Sequence, residues 1–99
     1  MTIKEQVFNK YLEIKQDLIN NLEDVFNRQE YYTKKYRGNL LTDINVSIDY
    51  GPGGEKIIQI FIRHKDEWIR DTLKYKRGGF FNSKIVTTLN DDEETRNAD

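Results

Sequence analysis

The chain has a single histidine, His64, which lies close to two carboxylates, Asp66 and Glu67. Histidine and carboxylate side chains can ligate a metal ion or exchange protons. A zinc site needs several such ligands, however, and the sequence has no second histidine and no cysteine. His64 also stands between Arg63 and Lys65, so we interpret it as a solvated residue at the end of a strand. We predict neither a metal ion nor a cofactor.

Two serines, Ser47 and Ser83, are the candidates for a serine nucleophile. Neither lies in a Gly-x-Ser-x-Gly elbow, and only one histidine is present to act as a base. The 17 acidic residues offer many carboxylate pairs, but none lies on an apolar stretch that would raise its pKa for acid–base work. The sequence therefore predicts a protein that is not an enzyme.

A glycine-rich segment, Gly51-Pro52-Gly53-Gly54, precedes Glu55 and Lys56. Phosphate-binding loops have glycines and a lysine, but they open a helix and end in Lys-Ser or Lys-Thr. Here β-branched runs flank the glycines, and Glu55 would repel a phosphate. Proline and glycine also suit the backbone angles of a tight turn. We predict a hairpin turn.

Two runs combine basic and aromatic residues, Tyr31–Arg37 and Lys74–Phe81. Lysine and arginine pair with phosphates, and aromatic rings stack on bases. The same cations also complement helix C-termini, and the aromatics also suit a core, so a purely structural role is the alternative. Gly78 and Gly79 would let backbone N–H groups approach an anion. The predicted ligand-binding residues are Arg63, Trp68, Arg70, Lys74, Tyr75, Lys76, Arg77, Lys34, Lys35 and Arg37.

Charge is segregated along the chain, although the formal net charge is only −1. Residues 34–84 carry 11 basic and 6 acidic side chains, whereas residues 85–99 carry 1 and 5. A local positive field attracts anions even when the total charge is near zero. We therefore predict a small non-catalytic protein that binds an anionic ligand, either a nucleotide or a nucleic acid, with the acidic tail as a competitor in cis.

The alternative function is a protein-directed inhibitor or immunity-type interaction protein. It would use Ile57, Phe61 or exposed tyrosines as anchors and the acidic tail as a steering charge. The frequent asparagine, lysine and isoleucine hint at an AT-rich bacterial or phage coding sequence.

Length and composition predict one domain over residues 1–89 and a disordered acidic tail over 90–99. Hydrophobic residues make up 36% of the chain, so the core is modest, which favours a homo-oligomer. No apolar run approaches the length of a membrane span. The absence of cysteine and of a signal-peptide pattern at the first residues predicts a cytoplasmic location.

One long helix is predicted from residue 2 to about 34, with Thr2 as its N-cap, Glu5 completing a capping box and Gly38 as the C′ residue. Such a helix would be ~50 Å long, whereas the predicted strands span roughly 25–30 Å. The helix must therefore bend or project beyond the sheet. A projecting apolar stripe would need a second copy to cover it.

A β-hairpin is predicted from Ile44 to Ile62. A tight loop would pair Asp49 with Lys56. A slip by one residue instead pairs Tyr50 with Lys56 and places six apolar residues on one face: Ile44, Val46, Ile48, Ile58, Ile60 and Ile62. A one-residue slip moves every side chain to the other face, so burial favours the second register. The second strand is apolar on both faces, which predicts a central strand whose Ile57 and Phe61 are covered.

The segment 66–77 fits two structures. Asp66 as an N-cap, acid in the first turn, base in the last turn and the following glycines favour a helix. Strand-like alternation of Ile69, Leu73 and Tyr75 is interrupted by Asp71. A last strand is predicted over 80–81 and 85–89, with a kink at 82–83. The fold prediction is α+β: a long N-terminal helix packed on a small antiparallel sheet built on a central hairpin, in the order α-β-β-α-β or, as the alternative, α-β-β-β-β.

Overall fold

The computed structural model describes residues 2–38, 40–76 and 80–89, without the side chains of residues 76 and 80–82. Three helical segments precede four strands. They are α1 (Ile3–Asn20), α2 (Leu22–Asn27), α3 (Gln29–Lys35), β1 (Asp43–Tyr50), β2 (Lys56–His64), β3 (Glu67–Lys76) and β4 (Phe80–Thr87). The strands form one antiparallel sheet in the order β1-β2-β3-β4. The predicted α+β class is confirmed, in the alternative order α-β-β-β-β.

The helical region begins as predicted but is not one continuous helix. Thr2 and Glu5 form the capping box at its start. Breaks occur at Asn21 and Arg28, whose ψ angles of 37° and 52° leave the helical range. The side-chain amide of Asn21 donates a hydrogen bond to the backbone carbonyl of Asp17 at 2.8 Å. Such a local side-chain bond competes with the backbone hydrogen bonds of the helix. The three segments are each shorter than the predicted helix, so the argument from a single ~50 Å helix no longer holds, although Phe8 and Leu12 of α1 are 42% and 45% exposed.

The end of the helical region also differs from the prediction. The last cap is Tyr36, so the C′ position falls on Arg37. Gly38 does not have the left-handed backbone expected of a C′ glycine, since only Gly53 and Gly54 have positive φ among the described glycines.

The hairpin has the predicted register, with Tyr50 opposite Lys56 and Ile48 opposite Ile58. The Gly51 N–H donates to the Glu55 carbonyl at 2.8 Å, which closes the loop. Gly53 and Gly54 have φ angles of 82° and 80°, so the turn depends on residues without a side chain.

The helix predicted over 66–77 is wrong: Glu67–Lys76 is strand β3. Asp66 lies in the tight turn after β2, where Lys65 has a φ of 53°. Pairing on both sides supplies the backbone partners that a helix would otherwise supply. β4 runs without a break through the predicted kink at 82–83.

The two faces of the sheet have different environments. The inner face lies under the helices. Alternate residues of β2 and β3 meet one apolar row of α1 there, and β1 packs against α3. The outer face has no described element against it, and Ile57 and Phe61 are only half-buried on it. β2 is central, as predicted, but the expectation that these two residues are covered is not met by the described chain. The buried hydrophobic residues are Val7, Tyr11, Ile14, Leu18, Val25, Tyr32, Tyr36, Leu41, Ile44, Val46, Ile58, Ile60, Ile62, Ile69 and Leu73.

Candidate nucleic-acid interface on the open face of the sheet

Strand alternation places several predicted site residues together on the outer face. Phe61 pairs with Arg70, and Arg63 pairs with Trp68. Since successive residues point to opposite faces, the neighbours of the buried Ile62 and Ile69 point away from the core. Sequence alone could not join these residues, because the helix prediction placed Trp68 and Arg70 on a different element.

Two aromatic rings and one guanidinium form the centre of this face. The ring centroids of Phe61 and Trp68 are 6.2 Å apart with a 35° angle between their planes. The guanidinium carbon of Arg70 lies 5.8 Å from the Phe61 centroid and 5.6 Å from that of Trp68. Both rings are half-buried, and Arg70 is exposed. The group therefore offers ring surface and positive charge at one place.

Further cations lie along β3 and β4. Lys74 is opposite Ile57, and Lys84 is opposite Thr72. Thr72, Lys74, Ser83 and Lys84 line a depression of about 300 Å³. In the described part of the chain no carboxylate forms a salt bridge with Arg70, Lys74 or Lys84. The positive charge of this surface is consequently available to an external anion. We call Phe61, Arg63, Trp68, Arg70, Lys74 and Lys84 the basic–aromatic face.

The helical basic run is kept apart from this face. Lys35 donates to Asp17 at 2.8 Å, and its ammonium lies 5.3 Å from the Tyr32 ring centroid and 5.6 Å from that of Tyr36. The bond to Asp17 raises the pKa of Lys35, and the bonds from Lys35 and Tyr36 lower the pKa of Asp17. Lys35 thus links α3 to α1, which is a structural role rather than one in binding a ligand. Lys34 and Arg37 are exposed on the same helical layer.

The remaining predicted site residues are not part of the basic–aromatic face. Tyr75 is half-buried and alternates with Lys74, so it belongs to the inner face. The side chain of Lys76 and the whole of Arg77 lie outside the described residues, as do Gly78, Gly79 and the acidic tail.

His64 is not a solvated rim residue. It is half-buried, and its Nδ1 lies within hydrogen-bonding distance of the Leu40 carbonyl. His64 therefore ties the end of β2 to the segment before β1. Within the described residues, no group of three or more His, Cys, Asp or Glu side chains could hold a metal ion.

The sequence does not reveal a buried polar cluster around Asp71, because its members are distant along the chain. Asp71 is fully buried, which corrects the expectation that no carboxylate lies in an apolar setting. It accepts hydrogen bonds from the Tyr11 hydroxyl and, at 2.6 Å, from the Ser83 hydroxyl, and Lys15 Nζ is 3.4 Å away. Burial and then the bond to Asp71 raise the pKa of Tyr11, so Tyr11 remains a donor. The cluster links α1, β3 and β4.

The fold and its open face define a small α+β protein with a basic–aromatic sheet surface. No family model, curated protein or solved structure matches the chain. Among the described helices, none has both the length and the apolar character needed to cross a bilayer.

Proposed function

We propose that this chain is a non-catalytic protein that binds single-stranded nucleic acid across its basic–aromatic face. The observation that carries the proposal is the group of Phe61, Trp68 and Arg70, which presents two rings and a guanidinium on adjacent strands of an open sheet. Aromatic rings on a four-stranded sheet are a general means of stacking unpaired bases.

Each part of the face has a separate task. Phe61 and Trp68 stack on bases, and Arg70 contacts either a base plane or a phosphate. Arg63, Lys74 and Lys84 pair with phosphates on either side of the rings. A duplex hides its bases inside the helix, so this arrangement favours an unpaired strand or a nucleotide over double-stranded DNA.

The charge balance agrees with a local site. A sequence pI of about 5.9 and a net charge of −1 do not suit a protein that coats DNA by bulk attraction. Arg70, Lys74 and Lys84 concentrate positive charge on one surface. The carboxylates Asp43 and Asp49 of the outer face belong to β1, and Glu55, which lies with Ile57 beside Gly51, belongs to the loop between β1 and β2. We expect the strand to cross β2, β3 and β4 rather than β1.

The test uses Trp68 itself, because it is the only tryptophan in the chain. A fluorescein-labelled dT or U oligonucleotide is titrated at low salt, and anisotropy is followed together with Trp68 fluorescence. Binding is expected with quenching of Trp68, and Phe61→Ala is expected to weaken it roughly 5- to 150-fold, since stacking is worth about 1–3 kcal/mol per base.

The matched control is Tyr31→Ala, which removes an exposed aromatic ring from the helical layer. It should leave the affinity unchanged. Binding that is absent at low salt, or that Tyr31→Ala weakens as much as Phe61→Ala does, would contradict the proposal. A stable complex with one protein and no affinity for oligonucleotides would instead support the inhibitor alternative, with Ile57 and Phe61 as anchors.

A further inference from the structure

The two edge strands of the sheet differ in whether another element covers them. At the β1 edge, the Thr33 hydroxyl of α3 donates to the Val46 carbonyl and accepts from the Val46 N–H, both at 3.1 Å. α3 packs along β1, so this edge is covered. At the β4 edge, the described residues place neither a helix nor a strand alongside.

The free backbone groups of β4 can be assigned from its ladder. The Thr88 N–H donates to the Trp68 carbonyl at 3.1 Å, which marks these two residues as a hydrogen-bonded pair. Hydrogen-bonded and non-bonded pairs alternate along antiparallel strands. The backbone N–H and C=O groups of the even-numbered residues of β4 therefore point toward β3. Those of Ser83, Ile85 and Thr87 point outward from the free edge of the sheet.

Apolar side chains stand beside this edge on the inner side. Ile85 is 44% exposed, and Phe8 and Leu12 of α1 are 42% and 45% exposed. Residues 8, 12 and 15 lie on one flank of a helix because of their spacing. Lys15 Nζ reaches the Ser83 hydroxyl at 3.3 Å, so this flank is the one turned toward β4.

We propose that a second copy of this chain pairs with β4 in antiparallel orientation, around a two-fold axis that passes through Ile85. A free edge strand is a template for another strand, and a homodimer with a two-fold axis uses the same patch on both copies. The occupant is a second copy because β4 is complementary to itself when Ile85 lies on the axis.

The outward backbone groups and the charges are both satisfied in this register. With Ile85 opposite its own copy, Ser83 faces the partner's Thr87, and each of these pairs exchanges backbone hydrogen bonds. Lys84 then faces the partner's Val86. An axis through Lys84 would also match the outward N–H and C=O groups, but it would place two lysines opposite each other, which is unfavourable.

The pairing has two consequences. On the inner side, Ile85 of each copy meets its equivalent next to Phe8 and Leu12, so the exposed apolar residues become buried. On the outer side, the two basic–aromatic faces become neighbours in one continuous sheet. The dimer does not depend on the proposed nucleic-acid binding, and its test contains no ligand.

Cross-linking through an introduced cysteine locates the axis, since the natural chain has no cysteine. In an antiparallel hydrogen-bonded pair the Cα atoms are about 5.5 Å apart, which is within the range of a disulfide. Ile85→Cys is expected to yield a covalent dimer almost completely on mild oxidation. Val86→Cys is the matched control: Val86 is 45% exposed, but its Cα would lie about 8 Å from that of its copy.

Sedimentation equilibrium of the full chain supplies the second readout. The wild type is expected to be dimeric at micromolar concentration, and Ile85→Lys is expected to raise the dissociation constant at least about tenfold, because a buried unpaired charge is costly. Tyr50→Lys, at a 63% exposed residue of the covered edge strand, should remain dimeric. Circular dichroism of each variant establishes that it is folded, and Phe8→Glu replaces Ile85→Lys if that variant does not fold.

Three results would overturn the proposal. One is a wild type that stays monomeric up to millimolar concentration. Another is equal cross-linking of the two cysteine variants, and the third is a dimer that Ile85→Lys and Phe8→Glu leave intact. A wild type that is dimeric but does not bind the oligonucleotide would count against the proposed function alone.

Discussion

The hydroxyl of Tyr11 in α1 donates a hydrogen bond to the buried carboxylate of Asp71 in β3, across 60 residues of sequence. Both side chains are fully buried. A buried carboxylate is tolerated only when its oxygens have partners, and Tyr11, Ser83 and Lys15 supply them here. This contact fixes how the helix sits on the sheet.

Tyr11→Phe is expected to lower the free energy of unfolding by about 1.5–3 kcal/mol, because it removes one hydrogen bond to a buried charge and keeps the ring. Urea denaturation followed by circular dichroism measures the change. Tyr31→Phe, which removes an exposed hydroxyl, is the control and should change stability little. Equal stability of Tyr11→Phe and wild type would show that this bond does not hold α1 to the sheet.

Acid should weaken the junction of α2 and α3. Asp24 accepts from Arg28 Nε at 2.9 Å and from the Tyr32 hydroxyl at 2.6 Å, and these bonds, that from Arg28 first, lower the pKa of Asp24 to about 2. The depressed pKa means that the stabilisation is complete above the ordinary carboxylate value of 3.8 and is lost as pH falls toward 2. The melting temperatures of wild type and Asp24→Asn should therefore differ near neutral pH and converge near pH 2. A constant difference across that range would exclude this role of Asp24.

Alkali should weaken the same junction through Tyr32. The bond to Asp24, together with burial, raises the pKa of Tyr32 from 10.0 to about 12. A raised pKa stabilises the fold fully below 10 and ceases to do so as pH rises through 12. Tyr32→Phe should consequently show a smaller loss of melting temperature than wild type between pH 10 and 12. Identical alkaline profiles would count against the prediction.

The salt dependence of oligonucleotide affinity should distinguish the cations of the sheet from those of the helical layer. If Lys74 and Lys84 each contact a phosphate, Lys74→Ala/Lys84→Ala should reduce the slope of log affinity against log salt by about 1.4, since each contact to a single strand contributes about 0.7. Lys34→Ala/Arg37→Ala removes two exposed cations from the helical layer and should leave the slope unchanged. The measurement is oligonucleotide anisotropy at a series of salt concentrations. Equal slopes for both double variants would place the phosphates elsewhere.

Thr33 should protect the β1 edge. Thr33→Val keeps the shape of the side chain and removes the hydroxyl that bonds both backbone groups of Val46. Two lost hydrogen bonds predict a decrease of about 1–3 kcal/mol in the free energy of unfolding. An exposed edge also predicts more aggregation on heating, which light scattering measures. Thr72→Val on the outer face is the control, and an equal loss there would make the effect one of threonine replacement in general.

Several elements could be derived from the sequence because they depend on local patterns. The capping box at Thr2, the turn at Gly53 and Gly54, and the register that pairs Tyr50 with Lys56 all follow from neighbouring residues and from the rule that one face of a strand is buried. The α+β class followed from the same patterns.

The identity of β3 could not be derived in this way. Its ends carry helix signals, and Asp71 breaks the alternation that would have identified a strand. Asp71 is compatible with a buried strand position only because Tyr11, distant in sequence, supplies a partner. The error at β3 also hid the pairing of Arg70 with Phe61, on which the candidate face depends.

The sequence by itself determined the helix start, the hairpin and its register, and the supply of cations and aromatics. The tertiary structure decided which of them share a surface: it directs Lys35 to Asp17 and gathers Arg70, Trp68 and Phe61 on an open face. The physical reason is that local patterns fix the backbone of each element, whereas a surface forms where strands distant along the chain are paired. That pairing is set by burial of the common core, to which every strand contributes at once.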